Sequence, residues 1–160
     1  MNLRRIGVIH SPHREAAGTP VQSALAAGVK GAVQVFPEYA GELRDLDGFE
    51  RNWLAYWFDR AKSPQMVVTP YLDTTPRGFF AARAPCRPNP IGPSSVRLLG
   101  ISGHVLSVDG LDLLDDTPLL DIKLFIPAFD TFEAKRIGYC AVHFGAAVAG
   151  GGADGLLLDA

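Results

Sequence analysis

The feature that most constrains the fold is a series of short strand-like segments, separated by glycine and proline and never joined by a long helical repeat. Most of these segments have the β-branched content or the apolar alternation that favours a strand. Many short strands at close spacing are typical of an all-β barrel or sandwich and disfavour a parallel sheet with intervening helices. We predict strands over residues 3–10, 32–36, 52–58, 65–68, 78–82, 94–101 and 105–111, and one or two helical turns over residues 38–43.

Two of these segments are especially informative. Residues 94–101 and 105–111 flank Ser102-Gly103, a short turn in which glycine can adopt a positive φ, so we expect a β-hairpin there. Residues 52–58 read NWLAYWF and are apolar on both faces of any strand. Such a strand must be covered on both sides by core, ligand or a second subunit. We therefore expect a dimer interface at this segment.

Length and composition limit the classes of protein to consider. A chain of 160 residues with 48% hydrophobic content can form one compact domain without metal or disulfide staples. We expect that domain over residues 1–140 and a frayed Gly/Ala-rich tail over residues 141–160. The net charge of -2 provides no broad basic field for nucleic acid, so any RNA contact must be local or supplied by a partner.

Other patterns indicate a cytoplasmic, reduced protein. The two cysteines have no metal-ligand spacing, and no apolar signal region follows the first arginines. No apolar run approaches the roughly 20 residues needed to span a bilayer, so we expect no membrane role. The four histidines share no spacing either, and we therefore expect no metal site.

Two segments have the composition of a ligand site, although the common dinucleotide, P-loop and zinc-protease signatures are absent. Residues 77–95, RGFFAARAPCRPNPIGPSS, combine three arginines and an asparagine with four prolines and two glycines. Their stiff backbone is suited to hold an anion or a carboxylate. Residues 111–125, LDLLDDTPLLDIKLF, place four aspartates among leucines. Carboxylates near a pocket can bind ribose hydroxyls or face a sulfonium cation.

Both segments resemble signatures of the TsaA-like family, the TrmO-type tRNA methyltransferases. Residues 77–92 carry Arg-Gly-x-Phe-x-x-Arg-x-Pro-x-Arg-Pro-Asn-Pro-Ile-Gly, and residues 115–123 carry Asp-x-Thr-Pro-Leu-Leu-Asp-Ile-Lys. Residues 6–12, IGVIHSP, are similar to the first strand of the family. The resemblance covers roughly residues 3–127, and two long independent motifs make chance agreement improbable.

The resemblance implies both a fold and an activity. The fold would be mainly β, a small antiparallel barrel of six to seven strands with one or two short helices, assembled as a homodimer. S-adenosylmethionine would bind near the subunit interface, and its methyl group would pass to N6 of a modified adenosine (t6A, position 37) in tRNA. The match is to the short form of the family, without the further C-terminal domain of the longer bacterial members.

The resemblance also implies which residues contact the methyl donor. Asp116 stands where the family usually has glycine, and aspartate tolerates a positive φ better than most residues. The Asp59-Arg60 pair stands where bacterial members often carry His-Gln. The implied contacts are Ser23, Ala24, Leu25, Asp59, Arg60, Phe80, Arg83, Asn89, Pro93, Leu113, Leu114, Asp115 and Asp116.

Methyl transfer from a sulfonium is an in-line displacement, so the protein mainly aligns and desolvates the reactants. An adenosine N6 nucleophile must also lose a proton. We predict Asp116 or Asp121 as the acceptor and Lys123 as the group that orients a carboxylate or a substrate oxygen. Asp121 and Lys123 could instead form a simple ion pair, which contributes little if exposed.

Two functions of different classes remain open, together with methylation of a small molecule or a protein as a weaker third. The first is an RNA adenosine methyltransferase. The second is an S-adenosylmethionine-binding regulatory or interaction module without RNA methylation activity. A continuous basic strip beside the cofactor pocket would favour the enzyme, and its candidate members are Arg77, Arg83, Arg87, Arg97 and Lys123.

Overall fold

The computed structural model describes residues 2–71 and 73–141. Six strands close into an antiparallel barrel, which confirms the predicted small antiparallel barrel. The barrel strands are β1 (Gly7–His10), β2 (Lys30–Val35), β3 (Arg51–Trp57), β6 (Ile91–Ser102), β7 (Val105–Asp109) and β8 (Thr117–Leu124). Their order around the barrel is β1, β2, β7, β6, β3, β8, and β8 pairs back with β1. A separate two-stranded sheet pairs β4 (Val67–Val68) with β5 (Arg77–Gly78).

Helical structure is short throughout the described ranges. The 3-10 turns are Ser23–Leu25, Pro37–Leu43, Leu46–Gly48 and Phe79–Ala81, and the α-helix α1 spans Pro127–Asp130. No helix in the described part of the chain has the length and apolar content needed to cross a membrane. The predicted tail lies almost entirely outside the described residues.

The core fills the inside of the barrel, and every barrel strand contributes a fully buried side chain. Burial alternates along the strands because successive side chains of a strand point to opposite faces. Closure also pairs both edges of the sheet, so no barrel strand keeps an open edge. Each barrel strand provides one residue with no exposed surface, and these are Ile9, Val33, Leu54, Val96, Leu106 and Leu119.

The predicted hairpin is present as β6 and β7. Ser102 pairs with Val105, and Gly103 in the turn has φ 59°, which an L side chain would rarely adopt. The pairing register shifts between Leu98 and Gly100. The hairpin therefore forms where the sequence placed it, with an irregularity that the alternation did not indicate.

Three predicted strands differ from the structure. The strand expected over residues 65–68 is limited to Val67–Val68. The first strand of the chain begins at Gly7 and not at residue 3, because Leu3 is half exposed and pairing with β8 starts only at Ile6. Residues 78–82 were expected to be extended, but Phe79–Ala81 forms a 3-10 turn. The Arg87 guanidinium donates hydrogen bonds to the carbonyl oxygens of Phe79 and Ala82, which curls this segment around it.

Side-chain burial alternates along β3 more strictly than the apolar sequence of this segment indicated. Leu54 and Tyr56 point into the core together with Asn52, which is 1% exposed. Neither polar atom of the Asn52 amide has a hydrogen-bond partner within the described residues. On the outer face, Trp53 is half buried and packs against Phe125, with ring centroids 5.7 Å apart. The dimer interface proposed for this strand stays a prediction.

The antiparallel topology gathers several connections at one end of the barrel, which we call the loop end. Paired residues show that β1, β3 and β7 finish there, while β2, β6 and β8 begin there. The loops after β1, β3 and β7 therefore leave the barrel side by side. Because these loops carry much of the polar sequence of the two motif segments, the loop end is where a ligand site can be assembled.

Candidate functional site

A cavity lies at the loop end between the three connections and the proline-rich loop before β6. Four of the residues predicted to contact the methyl donor line this cavity: Asp59, Arg60, Leu113 and Leu114. The remaining wall residues are Ala16, Thr19, Phe58, Ala61, Pro85, Asp112 and Thr117. The two motif segments thus meet here, one through Pro85 and the other through residues 112–114.

Arg60 fastens the loop after β3 to the turn before β8. Its Nη2 donates to the carbonyl oxygen of Asp115 at 2.5 Å and lies 3.5 Å from Oγ1 of Thr117. Its Nε lies 3.6 Å from a carboxylate oxygen of Asp59. Thr117 in turn donates to the carbonyl oxygen of Leu114 at 2.6 Å. Arg60 and Thr117 therefore stabilise the cavity wall, and Arg60 and Asp59 also place charged groups on it.

Asp115 is fixed from the other side by the loop after β1. The Ser11 backbone N–H donates to the Asp115 carboxylate at 3.1 Å, and the Asp115 backbone N–H donates to the carbonyl oxygen of His13 at 2.6 Å. Burial alone would raise the pKa of Asp115, but hydrogen bonds from the Ser11 and Asp116 backbones and from His10 outweigh it and hold the pKa below its ordinary value. Asp115 is therefore a structural anion of the loop end.

Asp116 has φ 63°, in the left-handed region that favours glycine. This conformation agrees with the glycine that the family usually has at this position. The side chain is 76% exposed, and Asp116 is not among the residues that line the cavity. His10 Nδ1 lies 3.5 Å from a carboxylate oxygen of both Asp115 and Asp116, and the three potential ligand atoms lie within 4.8 Å of one another. Histidine spacing in the sequence did not reveal this cluster, and the expectation of no metal site stays a prediction.

Asp112 lines the cavity and was not among the predicted contacts. The residue keeps some exposed surface, while its carboxyl group is largely buried. Ser94 Oγ donates to Asp112 Oδ1 at 2.6 Å, and the Tyr56 hydroxyl lies 2.9 Å from the same Ser94 Oγ. An ionised Asp112 can only accept, so in that state Ser94 donates its one proton to Asp112 and the Tyr56 hydroxyl donates to Ser94. We call this chain of three side chains the Asp112 relay.

Burial governs the protonation of the Asp112 relay. It raises the pKa of Asp112, although the Ser94 hydroxyl, nearby backbone N–H groups and Arg83 partly oppose this effect. Burial also raises the pKa of Tyr56, and the charge of Asp112 raises it further. Tyr56 therefore stays a neutral donor near pH 7.

Other predicted contacts lie around the cavity or away from it. The Ser23–Leu25 turn adjoins Asp112 through the Ser23 backbone, and Arg83 donates to Gln22 beside that turn. Phe80 is 85% exposed. None of the predicted contacts Phe80, Asn89 and Pro93 lines the cavity, and all three are exposed on the surface of the described chain.

Asp121 and Lys123 form an ion pair with 3.0 Å between Nζ and Oδ2, and both side chains are largely exposed. Lys123 lies six residues along β8 from Thr117, which corresponds to about 20 Å of strand. Asp121 borders a second cavity that also includes Tyr39 and Glu42. Within one chain, these two residues are separate from the loop-end cavity.

Most members of the predicted basic strip have partners within the chain, although Arg97 and Lys123 remain exposed. Arg77 binds Asp73 at 2.8 Å, and Arg87 donates to three backbone carbonyl groups. Arg97 lies 3.6 Å from Glu50, and Lys123 pairs with Asp121. The arginine-rich loop therefore uses much of its charge to hold its own backbone, and only Arg83 lies close to the cavity wall.

Comparison with known proteins agrees with this architecture. A family model described as the tRNA-methyltransferase O N-terminal domain matches residues 8–131. The chain is 47% identical over 136 residues to a probable S-adenosyl-L-methionine-binding protein of Pyrococcus abyssi, covering 85% of this chain and 74% of that protein. It is 35% identical over 147 residues to the tRNA (adenine(37)-N6)-methyltransferase of Escherichia coli, covering 86% and 63% of the two chains.

A solved structure shares the same barrel. The crystal structure of TrmO from Pseudomonas aeruginosa superposes with a TM-score of 0.73 at 34% identity, and the match covers 87% of this chain and 62% of that one. The chain thus spans about three fifths of the two bacterial proteins and about three quarters of the archaeal relative.

Proposed function

The chain belongs to the family of the tRNA-methyltransferase O N-terminal domain, and on that basis we propose that it binds S-adenosylmethionine in the loop-end cavity and transfers its methyl group to an adenosine N6 in tRNA. The modified adenosine t6A at position 37 is the acceptor that the family resemblance implies. Relatives named as S-adenosylmethionine-binding proteins and as a tRNA adenine-N6 methyltransferase support this proposal.

The observation that carries the proposal is the chemistry of the cavity wall. S-adenosylmethionine has a positive sulfonium, an ammonium and a carboxylate group, ribose hydroxyls and an adenine ring. The wall offers carboxylates from Asp59 and Asp112, a guanidinium group from Arg60, and apolar surface from Phe58 and Leu113. Each functional group of the ligand therefore has a complementary group in one cavity.

The proposal is tested in two steps. Titration calorimetry of the full chain with S-adenosylmethionine should give a one-site isotherm. Labelled S-adenosylmethionine incubated with total tRNA from a strain lacking this gene should then label one adenosine nucleoside after digestion. The absence of binding heat with folded protein would refute both parts, whereas binding without transfer would refute only the methyltransferase assignment.

A second candidate function is an S-adenosylmethionine-binding regulatory module. The internal pairing of Arg77, Arg87 and Arg97 favours it, because these groups do not form a free basic strip beside the cavity. The tRNA assay separates the two functions. A labelled adenosine supports the enzyme, and unlabelled tRNA with intact cofactor binding supports the module.

The catalytic assignment of Asp116, Asp121 and Lys123 also stays a proposal. Asp116 directly precedes Thr117 of the cavity wall, while the other two lie farther along β8. If Asp121 accepts the N6 proton, Asp121→Asn should lower the transfer rate and change its pH profile. An unchanged rate and profile would exclude Asp121 as the base.

A further inference from the structure

The loop-end cavity contains one carboxyl group that is largely buried and has a dedicated hydrogen-bond chain behind it. Asp112 accepts a hydrogen bond from Ser94 on β6, and Ser94 accepts one from Tyr56 on β3. Ser94 is 2% exposed and Tyr56 3% exposed. Two inward-facing positions of the barrel are thus used to hold one carboxylate at the cavity wall.

The Asp112 relay can stabilise an ionised Asp112. When Asp112 is ionised, Ser94 donates to it and Tyr56 donates to Ser94, so both proton donors point toward the carboxylate oxygen. Donors aimed at a carboxyl group stabilise its ionised form. Arg83 provides one positive charge near this carboxylate, and a cationic ligand in the cavity would compensate its charge further, because burial of an uncompensated charge is costly.

We infer that Asp112 is the specificity-determining residue that recognises the positive charge of the methyl donor, so that the cavity prefers S-adenosylmethionine to its demethylated product. The inference rests on the proposed binding of S-adenosylmethionine. Donor and product share the ammonium and carboxylate groups, the ribose and the adenine, but only the donor carries a sulfonium. A carboxylate near the sulfur atom attracts the donor and provides no such attraction for the neutral thioether.

This preference has a functional consequence. After transfer the positive charge has left the sulfur atom, so the interaction with Asp112 is lost and the product binds more weakly than the donor. The cavity would then release the product more readily than the donor.

Binding measurements on the full chain test the inference directly. Titration calorimetry at pH 7.5 should show that wild type binds S-adenosylmethionine about tenfold more tightly than S-adenosylhomocysteine, which corresponds to about 1.4 kcal/mol. Asp112→Asn keeps the shape and removes the charge. It should weaken donor binding about tenfold, leave product binding within about twofold and abolish the preference. Asp47→Asn, in an exposed 3-10 turn, is the matched control and should retain it.

A pH titration of the wild type tests the same point without a substitution. Donor affinity should fall on acidification as Asp112 becomes protonated, above the usual range of an aspartate because burial raises its pKa. The charged and polar groups around Asp112 are Arg83, Ser94, Tyr56 and the Ser23 backbone, with Asp59 and Arg60 on the same cavity wall. The product affinity should change less over this range.

The pH dependence of donor preference in Ser94→Ala is a measurement that a purely structural role of Asp112 would leave unchanged. The Ser94 hydroxyl lowers the pKa of Asp112, so its removal should shift the loss of donor preference to higher pH. Ser107→Ala, at an exposed position of β7, should leave the transition unchanged. Equal weakening of donor and product by Asp112→Asn, or a preference that survives it, would overturn the inference. Failure of the wild type to bind either compound would instead refute the proposed function itself.

Discussion

Replacement of Gly92 by alanine should lower the free energy of unfolding by about 1–3 kcal/mol, the usual cost of overpacking a core position. Gly92 on β6 pairs with Tyr56 on β3 and is buried. A Cβ atom at Gly92 would lie 2.5 Å from Cε2 of Tyr56 and 2.7 Å from Cε2 of Phe58. Because carbon atoms pack best at about 3.5–4.0 Å, both rings would have to move by roughly 1 Å.

Neither ring can move at low cost. Tyr56 is 3% exposed and its hydroxyl is hydrogen-bonded to Ser94. Phe58 packs edge-on against Tyr56, with 5.1 Å between ring centroids, and forms part of the cavity wall. A shift of these rings would disturb the Asp112 relay as well as the core. We therefore expect weaker S-adenosylmethionine binding together with the loss of stability.

Gly100→Ala on the same strand is the matched control. No heavy atom lies within 4 Å of a Cβ built at Gly100, and its φ is outside the left-handed region. Its effect should stay within about 0.5 kcal/mol. Urea unfolding followed by tryptophan fluorescence, with a shared slope for all variants, measures the differences. An unfolding midpoint for Gly92→Ala equal to that of wild type, or an equal loss in Gly100→Ala, would refute the close-approach argument.

Three further changes test other parts of the loop end. Arg87→Ala should speed backbone hydrogen exchange over residues 78–88, because it removes the donor to three carbonyl groups, and Arg87→Lys should not restore protection. The lowered pKa of Asp115 adds stability that is present above about pH 4 and lost as pH falls through the folded-state pKa. Asp115→Asn should therefore lower the urea midpoint at pH 7 and make the midpoint decline less steeply toward pH 3. An unchanged slope of midpoint against pH would contradict the predicted direction of the effect. Arg60→Ala should weaken S-adenosylmethionine binding about tenfold in calorimetry, whereas Arg44→Ala, at an exposed position, should not.

Most strands could be predicted from the sequence because their rules are local, but the choice of a barrel over a sandwich came from the family resemblance, and no strand was predicted over β8. Alternating burial marks strands such as β2 and β7, and Gly103 marks the turn between β6 and β7. The 3-10 turn at Phe79–Ala81 could not be predicted in this way. It depends on Arg87, several residues later in the chain, and nothing local shows that this guanidinium binds backbone carbonyl groups and not a ligand.

The candidate site was only partly predictable for a related reason. Family resemblance indicated Asp59, Arg60, Leu113 and Leu114, which do line one cavity. Asp112 was visible only as one of several aspartates. Its significance comes from Ser94, 18 residues earlier, and from Tyr56, 38 residues before Ser94. This chain of hydrogen bonds forms only after barrel closure places the inward faces of β3 and β6 against the loop after β7. The periodicity of apolar residues in the sequence therefore cannot reveal it.

The position of Asp121 and Lys123 on β8 links their proposed catalytic role to the predicted dimer. Asp121 and Lys123 lie well along β8 from Thr117, and each cavity in a single chain lacks the residues of the other. If Asp121 or Lys123 acts on the methyl acceptor, a residue about 13–20 Å along the strand must approach the donor in some other way. A second copy of the chain could supply it across an interface such as the half-buried outer face of β3. The proposed catalytic role of these two residues is therefore tied to the predicted dimer, whereas the Asp112 relay is complete within one chain.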